Sequence, residues 1–356
     1  MKVNAKISNH WNQAHAWTIS TISRGLNEIG ITWVREIPTM VLGISISNSL
    51  GQEDAVSVVC ASATLDGSCM RLAQDVRVCS KTETVDGTIL ISLVESLLMQ
   101  YFLHNKFLPK RILVYRAGVS EGAFSRFRID EIKSIKKGYK NFVRRGHNGV
   151  DECSNNCDSG CVHCCPAITF VACMTRNNVK IVPANPSDGV GIGRNKDKFN
   201  VHSGTVVDSV IVDAEEEQGS EGAKLYSEKG DGGYDFLLIA HGSGKGTSKP
   251  VHYRMIMNEN AGHKRDGGSK LSKELLEQAT YEMSFQYSTA TKAVRLVPVL
   301  YYSSRCAETV IKYLRCLKQE HMIVPKGLDE YVTERDGSSG DNARLTYIRS
   351  EVEVSL

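Results

Sequence analysis

Three runs decide how this chain folds: MVLGISI at residues 40–46, AVSVVCASA at 55–63, and a third β-branched run at 72–79. The first two are short, apolar and rich in β-branched residues, and three strand candidates in close succession predict an antiparallel meander. Residues 86–104 are apolar on nearly every face (Ile89, Leu90, Ile91, Leu93, Val94, Leu97, Leu98, Tyr101, Phe102). That stretch is too long for a strand, so a buried helix is expected, with Pro109 blocking its continuation. RILVY at 111–115 reads as a compact strand, and Ser120 is placed to N-cap a helix carrying Phe124, Phe127, Ile132 and Ile135 at helical spacing. Further strand candidates lie at 167–173, 205–212, 235–240 and 252–256. One later helix is capped by Ser272 and runs through Leu275, Ala279 and Met283; another uses Ala307, Val310, Ile311 and Leu314. Alternating strands and helices of this kind predict an α/β fold with a mixed sheet flanked by helices.

Composition narrows the function classes. The chain has 356 residues, 41% hydrophobic and 23% charged, the balance of a globular protein with a sizeable core. Lys plus Arg is 43 against 40 for Asp plus Glu, a net of +3, so a nucleic-acid site must be a local concentration of charge. Residues 88–103 carry Glu95 and Gln100 and fall short of an uninterrupted bilayer span, and residues 1–17 have no apolar signal core, so no membrane partner is expected. A reducing compartment, cytoplasmic or nuclear, follows, with the 11 cysteines as thiols or metal ligands. Two polar segments, Cys-rich 151–165 and acidic 213–233, read as surface insertions.

Five collinear blocks resemble the Piwi domain of Argonaute proteins: PTMVLGISIS (38–47), PKRILVYRAGVSEGAF (109–124), SGTVVD (203–208), YDFLLIAHGSGKGTSKPVHY (234–253) and VPVLYY (297–302). The resemblance implies an RNase H-like fold over residues 38–325, entered by a connection at 1–37 and followed by a C-terminal tail at 326–356. Full Argonautes also carry N-terminal, PAZ and MID domains, for which this chain is too short; a fragment, a truncated paralogue or an incomplete gene product is expected. The lost carboxylates and elaborated loops also resemble the expanded Argonaute branches of nematodes.

Slicing Argonautes hold two divalent cations with carboxylates and a histidine, because Mg²⁺ demands hard oxygen ligands. The first strand aspartate of the family corresponds to Ser45, the second to Ala117, and the histidine to Ser304. The glutamate slot falls on Thr84 or Val85; Glu83 or Asp86 reaches it only if the loop slips. The resemblance therefore implies no catalytic residue, no catalytic cofactor and no slicer activity, with a residual nuclease using Glu83 or Asp86 as a lesser reading. His252 lies at a different family position and reads as a hydrogen-bonded strand histidine.

RNA-binding chemistry survives better, since backbones are held by cations, imidazoles and tyrosine hydroxyls without a metal. The resemblance assigns guide contacts to Arg176, Lys180, His241, Lys249 and Tyr301, with small guide RNA and target RNA as partners and gene silencing as the role. The family arginine that helps grip a guide 5′ phosphate corresponds to Thr309 or its neighbourhood. A basic run of Lys133, Lys136, Lys137, Lys140, Arg144 and Arg145, interleaved with Tyr139 and Phe142, reads as a second backbone track or as a solvated helix end. From another class, Piwi domains resemble docking platforms for tryptophan-bearing segments, so silencing-effector proteins are alternative partners.

The Cys-rich insertion places Cys153, Cys157, Cys161 and Cys164, with Cys165 and His163, at a spacing that fits either a structural zinc knot or an unmetallated loop. Gly189, Gly191 and Gly193 sit outside any βαβ unit and read as a plain loop. Cys60, Cys69, Cys79, Cys173, Cys306 and Cys316 read as buried core thiols.

Overall fold

In the computed structural model the three opening runs are antiparallel strands, β1 (Thr39–Asn48), β2 (Val56–Thr64) and β3 (Leu72–Ser80). The structure describes residues 29–48, 56–80, 85–118, 130–145, 166–192, 199–212, 233–242, 246–260, 269–290 and 292–319. The Ser120 cap with Phe124 and Phe127, the Cys-rich and acidic insertions (Gly233 excepted), Thr84 and the 326–356 tail lie outside them. A short helix, α1 (Ile29–Glu36), precedes the meander, where the sequence suggested only a connection.

β4 (Arg111–Ala117) and β5 (Ala167–Met174) run parallel to β1, as crossover helices allow. Beyond them come two strands of a small ribbon, β6 (Val190–Gly191) and β7 (Phe199–Asn200), then β8 (Thr205–Val207), β9 (Asp235–Ile239) and β10 (Val251–Asn258). The main sheet has eight strands in the order β3-β2-β1-β4-β5-β10-β9-β8, mixed as expected. The expected strand at 205–212 is cut to three residues: Val210 sits at φ 69, a left-handed conformation that a β-branched side chain resists and that ends pairing.

Because strand side chains alternate, β1, β4 and β5 feed two cores. Met40, Leu42, Ile44, Ile112, Val114, Ile168 and Phe170 pack with α2 (Gly87–Asn105) and α3 (Ile132–Arg144) on one face. Val41, Leu113, Tyr115, Val171 and Cys173 meet α1, α4 (Lys273–Met283) and the start of α5 (Pro298–Gln319) on the other. Ser272 caps α4 as expected, accepting from the Leu275 N–H at 3.2 Å. Gly30 lets α1 lie against α4, since a Cβ there would sit 2.4 Å from the Ala279 backbone, and Glu282 of α4 accepts the Ile31 N–H at 2.8 Å.

α2 departs from the expected all-round burial. It is long and apolar enough by length and composition to cross a bilayer, but here Leu90, Leu93, Val94, Leu97, Leu98 and Tyr101 face the sheet and α3 while Leu103 stays 53% exposed. Asp86 caps its start, accepting from the Thr88 N–H at 2.8 Å, and Lys106 at φ 66 ends it before Pro109 is reached.

One polar contact joins three of these elements. Arg116 of β4 and Glu131, at the head of α3, are both fully buried and paired at 3.0 Å, and Glu131 also accepts the Val85 N–H at 3.1 Å just ahead of α2. Removing one member strands a buried charge, which costs about 3–5 kcal/mol. Glu131→Gln and Arg116→Met are each expected to lower urea-unfolding stability by about that amount, and the double variant by less than the sum of the two. Additive losses would show that the pair is not the clasp.

Candidate nucleic-acid interface

Three of the family-matched catalytic positions, Ser45, Ala117 and Ser304, meet at the carboxyl ends of the parallel strands, where sheets of this kind place ligand sites. Gly43 of β1 makes this possible: a Cβ there would lie 2.5 Å from the Val299 carbonyl carbon, so only glycine admits the first turn of α5. α5 then delivers Ser304 to β1, and the Ser45 and Ser304 hydroxyls hydrogen-bond at 2.9 Å. Ala117 follows the last paired residues, Ile44 and Arg116, and is buried on the same face as Ser45. The fourth position is Val85, buried with its N–H committed to Glu131, or Thr84, outside the described residues. Asp86 is exposed and turned back as the α2 cap; Glu83 lies outside the described residues. Among the described residues no group of three or more His, Cys, Asp or Glu is arranged to hold a metal ion. A hydroxyl pair and a methyl do not fit the donor set that two hard divalent cations require.

Beside this neutral pit stands a cationic rim. Arg295, in the segment leading into α5, donates to the Thr175 carbonyl at 2.8 Å and to the Pro250 carbonyl at 3.3 Å, tying the end of β5 to the start of β10. Arg176 and Lys249 are the exposed neighbours of those two carbonyl residues, so the clamp sets both cations on one rim. Asn177 donates to the same Pro250 carbonyl at 3.2 Å, and Asn200 pins the approach to Lys249 by accepting from the Ser248 N–H at 2.9 Å. His241 follows β9 and feels the Arg295 charge; its Nδ1 and the Arg295 Nε are buried without a hydrogen-bond partner among the described residues. Lys180 is exposed four residues beyond Arg176, and among the described residues no hydrogen bond or ion pair ties it to the cluster.

Tyr301 packs against Tyr287 with ring centroids 5.0 Å apart, and Tyr302 does so at 4.9 Å. Arg305, one turn along α5, donates to the Tyr287 hydroxyl at 2.8 Å, while Thr309 donates to the Arg305 carbonyl. A cation therefore stands one turn from Thr309. Sequence reading missed Arg295, Tyr287 and Arg305. The signal for Arg295 was a lone cation between Val294 and Leu296, two residues ahead of the VPVLYY block.

His252 is hydrogen-bonded to Asp235 at 2.8 Å, and Arg254 joins the same carboxylate at 2.6 Å. Of the basic run on α3, Tyr139 and Phe142 are buried in the core, Lys136 is paired with Glu259 and Arg145 with Glu95 at 2.7 Å, while Lys133, Lys137 and Arg144 are exposed, as on a solvated helix face. The aromatics occupy the sheet-facing side of the helix, so they cannot stack on bases. Cys153, Cys157, Cys161 and Cys164 lie outside the described residues.

A meander running into parallel strands, with helices on both faces and a site at the strand ends, is an RNase H-like domain. The Piwi domain model matches residues 23–219 and 229–315, and the chain belongs to that family, the Piwi domains of Argonaute proteins. It is 29% identical over 280 residues to Protein argonaute 12 of Oryza sativa subsp. japonica, covering 75% of this chain and 22% of that protein. It is 28% identical over 283 residues to Putative protein tag-76 of Caenorhabditis elegans, covering 78% and 22%. The chain thus spans less than a quarter of the length of either relative. The C-terminal lobe of a budding yeast Argonaute superposes with TM-score 0.65 at 21% identity, over 85% of this chain and 54% of that one. Kluyveromyces polysporus Argonaute with a guide RNA gives the same TM-score and identity over 85% and 30%.

Burial first, and the Arg295 charge second, hold the His241 imidazole below its ordinary value of 6.5. Between the lowered and ordinary values the unfolded chain binds more protons, so this histidine makes stability fall as pH drops below about 6.5. His241→Gln is expected to flatten the fall in thermal midpoint between about pH 7.5 and pH 5.5. An unchanged profile would show that the imidazole is not held neutral.

Proposed function

We propose that this Piwi domain binds small RNA, or a guide–target duplex, through its phosphate backbone and does not cut it. The observation that carries the reading is the Ser45–Ser304 hydrogen bond beside Ala117: where slicing relatives need carboxylates and a histidine, this chain has neutral groups that satisfy one another. Without anionic ligands nothing offsets the mutual repulsion and dehydration of two divalent cations.

The rim supports the binding half. Arg176 and Lys249 project from backbone that Arg295 and Asn200 hold in place, so part of their ordering entropy is spent during folding rather than on binding. Lysine at 249 supplies a point charge without a bidentate fork, and the other contacts available are an imidazole and a tyrosine, none of which reads a base edge. The interaction is therefore sequence-blind and salt-dependent. Its place in silencing is recruitment of other proteins to the bound RNA.

Equilibrium binding of the purified chain to a labelled 5′-phosphorylated small RNA, in EDTA at low and physiological salt, tests this, with a complementary target incubated in Mg²⁺ in parallel. Binding that weakens with salt and leaves the target intact is expected. Arg176→Glu combined with Lys249→Glu is expected to weaken binding at least about tenfold and to reduce the salt slope by about two. Target cleavage would overturn the non-slicing half; no binding at either salt would overturn the RNA half and leave a protein-docking role.

A further inference from the structure

α5 carries a cation that the Arg176 and Lys249 rim does not include. The face of α5 turned to β2 is packed: Ala307, Val310 and Ile311 meet Val58 and Cys60, and Cys306 is half-buried at the edge of that cluster, not the fully buried core thiol its sequence suggested. Arg305, Glu308, Thr309 and Lys312 lie on the exposed side. Of these, Arg305 is anchored by a buried side chain, its Nη1 donating to the Tyr287 hydroxyl at 2.8 Å. Tyr287 packs against both Tyr301 and Tyr302, with ring centroids 5.0 and 4.9 Å apart, and the Tyr302 hydroxyl is hydrogen-bonded to that of Ser288 at 2.7 Å. The group that holds the guanidinium is thus itself held. Among the described residues no ion pair within 4 Å engages Arg305.

We propose that Arg305 is a further RNA-binding residue, taking an internal phosphodiester on the α5 side of the neutral pit, across from the Arg176 and Lys249 rim, with Tyr287 as its positioning residue. The assignment rests on the RNA-binding reading of the domain. Sheet order puts the pit between the two cationic groups. α5 packs on β1 and β2, Ser45 and Ala117 belong to β1 and β4, and Arg176 and Lys249 flank the end of β5 and the start of β10. From β1 through β4 and β5 to β10 is about 14 Å at the usual strand spacing. A strand held on the rim alone has no charge contact where it crosses the pit, and Arg305 supplies one beyond it.

The chemistry fits one singly charged phosphate. A guanidinium carries its N–H donors in a planar fork, so with one of them on Tyr287 the rest still meet phosphate oxygens. A side chain already ordered by a buried partner loses less entropy on binding than a free lysine does. Glu308, three residues on, faces the same side of the helix and disfavours a second negative charge, so a diester suits the position better than a terminal monophosphate. Ser304, the preceding residue, is neutral and commits its hydroxyl to Ser45, so it does not compete for the guanidinium as a carboxylate would. Tyr301, which the family resemblance assigns to a guide contact, touches the same Tyr287 ring, so hydroxyl and cation belong to one packed group.

The test is equilibrium binding of the full chain to single-stranded RNA in EDTA across a salt series, using 5′-phosphate and 5′-hydroxyl forms of the same RNA. Arg305→Gln is expected to weaken binding of both forms about tenfold and to lower the salt slope by about 0.7, the contribution of one phosphate on a single strand. Tyr287→Phe keeps the ring and every charge, so it should weaken binding about threefold with the slope unchanged. Arg305→Lys should restore the slope without the full affinity, and Lys312→Gln, two turns further along α5, should bind as the wild-type chain does. The assignment is overturned if the wild-type chain binds and Arg305→Gln matches it in affinity and slope, if Lys312→Gln loses as much, or if only the 5′-phosphate form feels the change. A wild-type chain that binds no RNA at any salt fails on the RNA-binding reading itself and removes this residue's role with it. Arg305→Gln, at an exposed position, decides the matter even if Tyr287→Phe folds poorly.

Discussion

The ion pair of Arg116 and Glu131 is the constraint on which the rest of the architecture turns. Neither side chain touches solvent, so each charge is tolerable only because the other is present and further hydrogen bonds complete the pair. Arg116 also donates to the Ala117 carbonyl, and Glu131 closes the set by accepting the Val85 N–H. The end of β4, the head of α3 and the approach to α2 are thereby locked in one relation. A hydrophobic pair of the same volume would fill the space but would not orient three backbones. Ala117 is the next residue along, so the site inherits its position from this clasp.

From there the geometry propagates through close approaches. The missing Cβ of Gly43 seats α5 on β1, and the seat sets Ser304 opposite Ser45. Arg295, just ahead of α5, reaches back to the carbonyls of Thr175 and Pro250, so one helix placement fixes both the neutral pit and the cationic rim. The lowered His241 pKa belongs to the same arrangement, since part of it comes from the Arg295 charge.

Much of this was legible in the sequence, and the reasons differ by element. β1, β4 and β5 were readable because buried parallel strands are continuous apolar runs, which composition alone marks, and the meander because three short strand runs follow in close succession. The Ser272 cap was readable because its chemistry is local. α1 was missed because eight residues carry too little periodicity, and its stability comes from Gly30 against α4 and from Glu282, which is distant in sequence. β8 was overextended because nothing local announces that Val210 turns left-handed. In the site, Ser45, Ala117 and Ser304 were found through motif position; their convergence follows from the strand order, with β4 pairing beside β1. Arg295 escaped because its role is to clamp two carbonyls from separate strands, a relation that no spacing encodes. On α3 the converse holds: charge spacing was visible, but which face meets the core was not.

Neutrality in the pit and charge on the rim reinforce each other. A phosphate about 6 Å from an uncompensated carboxylate is repelled by roughly 0.7 kcal/mol in a water-like dielectric and by about 3 kcal/mol at an effective value near 20. In a slicing relative the divalent cations cancel that repulsion. A chain that kept the carboxylates but held metal poorly would carry the penalty at the point where the backbone runs past. Replacing them by hydroxyls that hydrogen-bond each other removes the repulsion without leaving an unsatisfied buried group, and it frees the ends of β1 and β4 from any need for a counterion. Under the proposed reading, the substitutions that abolish cutting are the same ones that let the Arg176 and Lys249 rim hold RNA in the absence of metal.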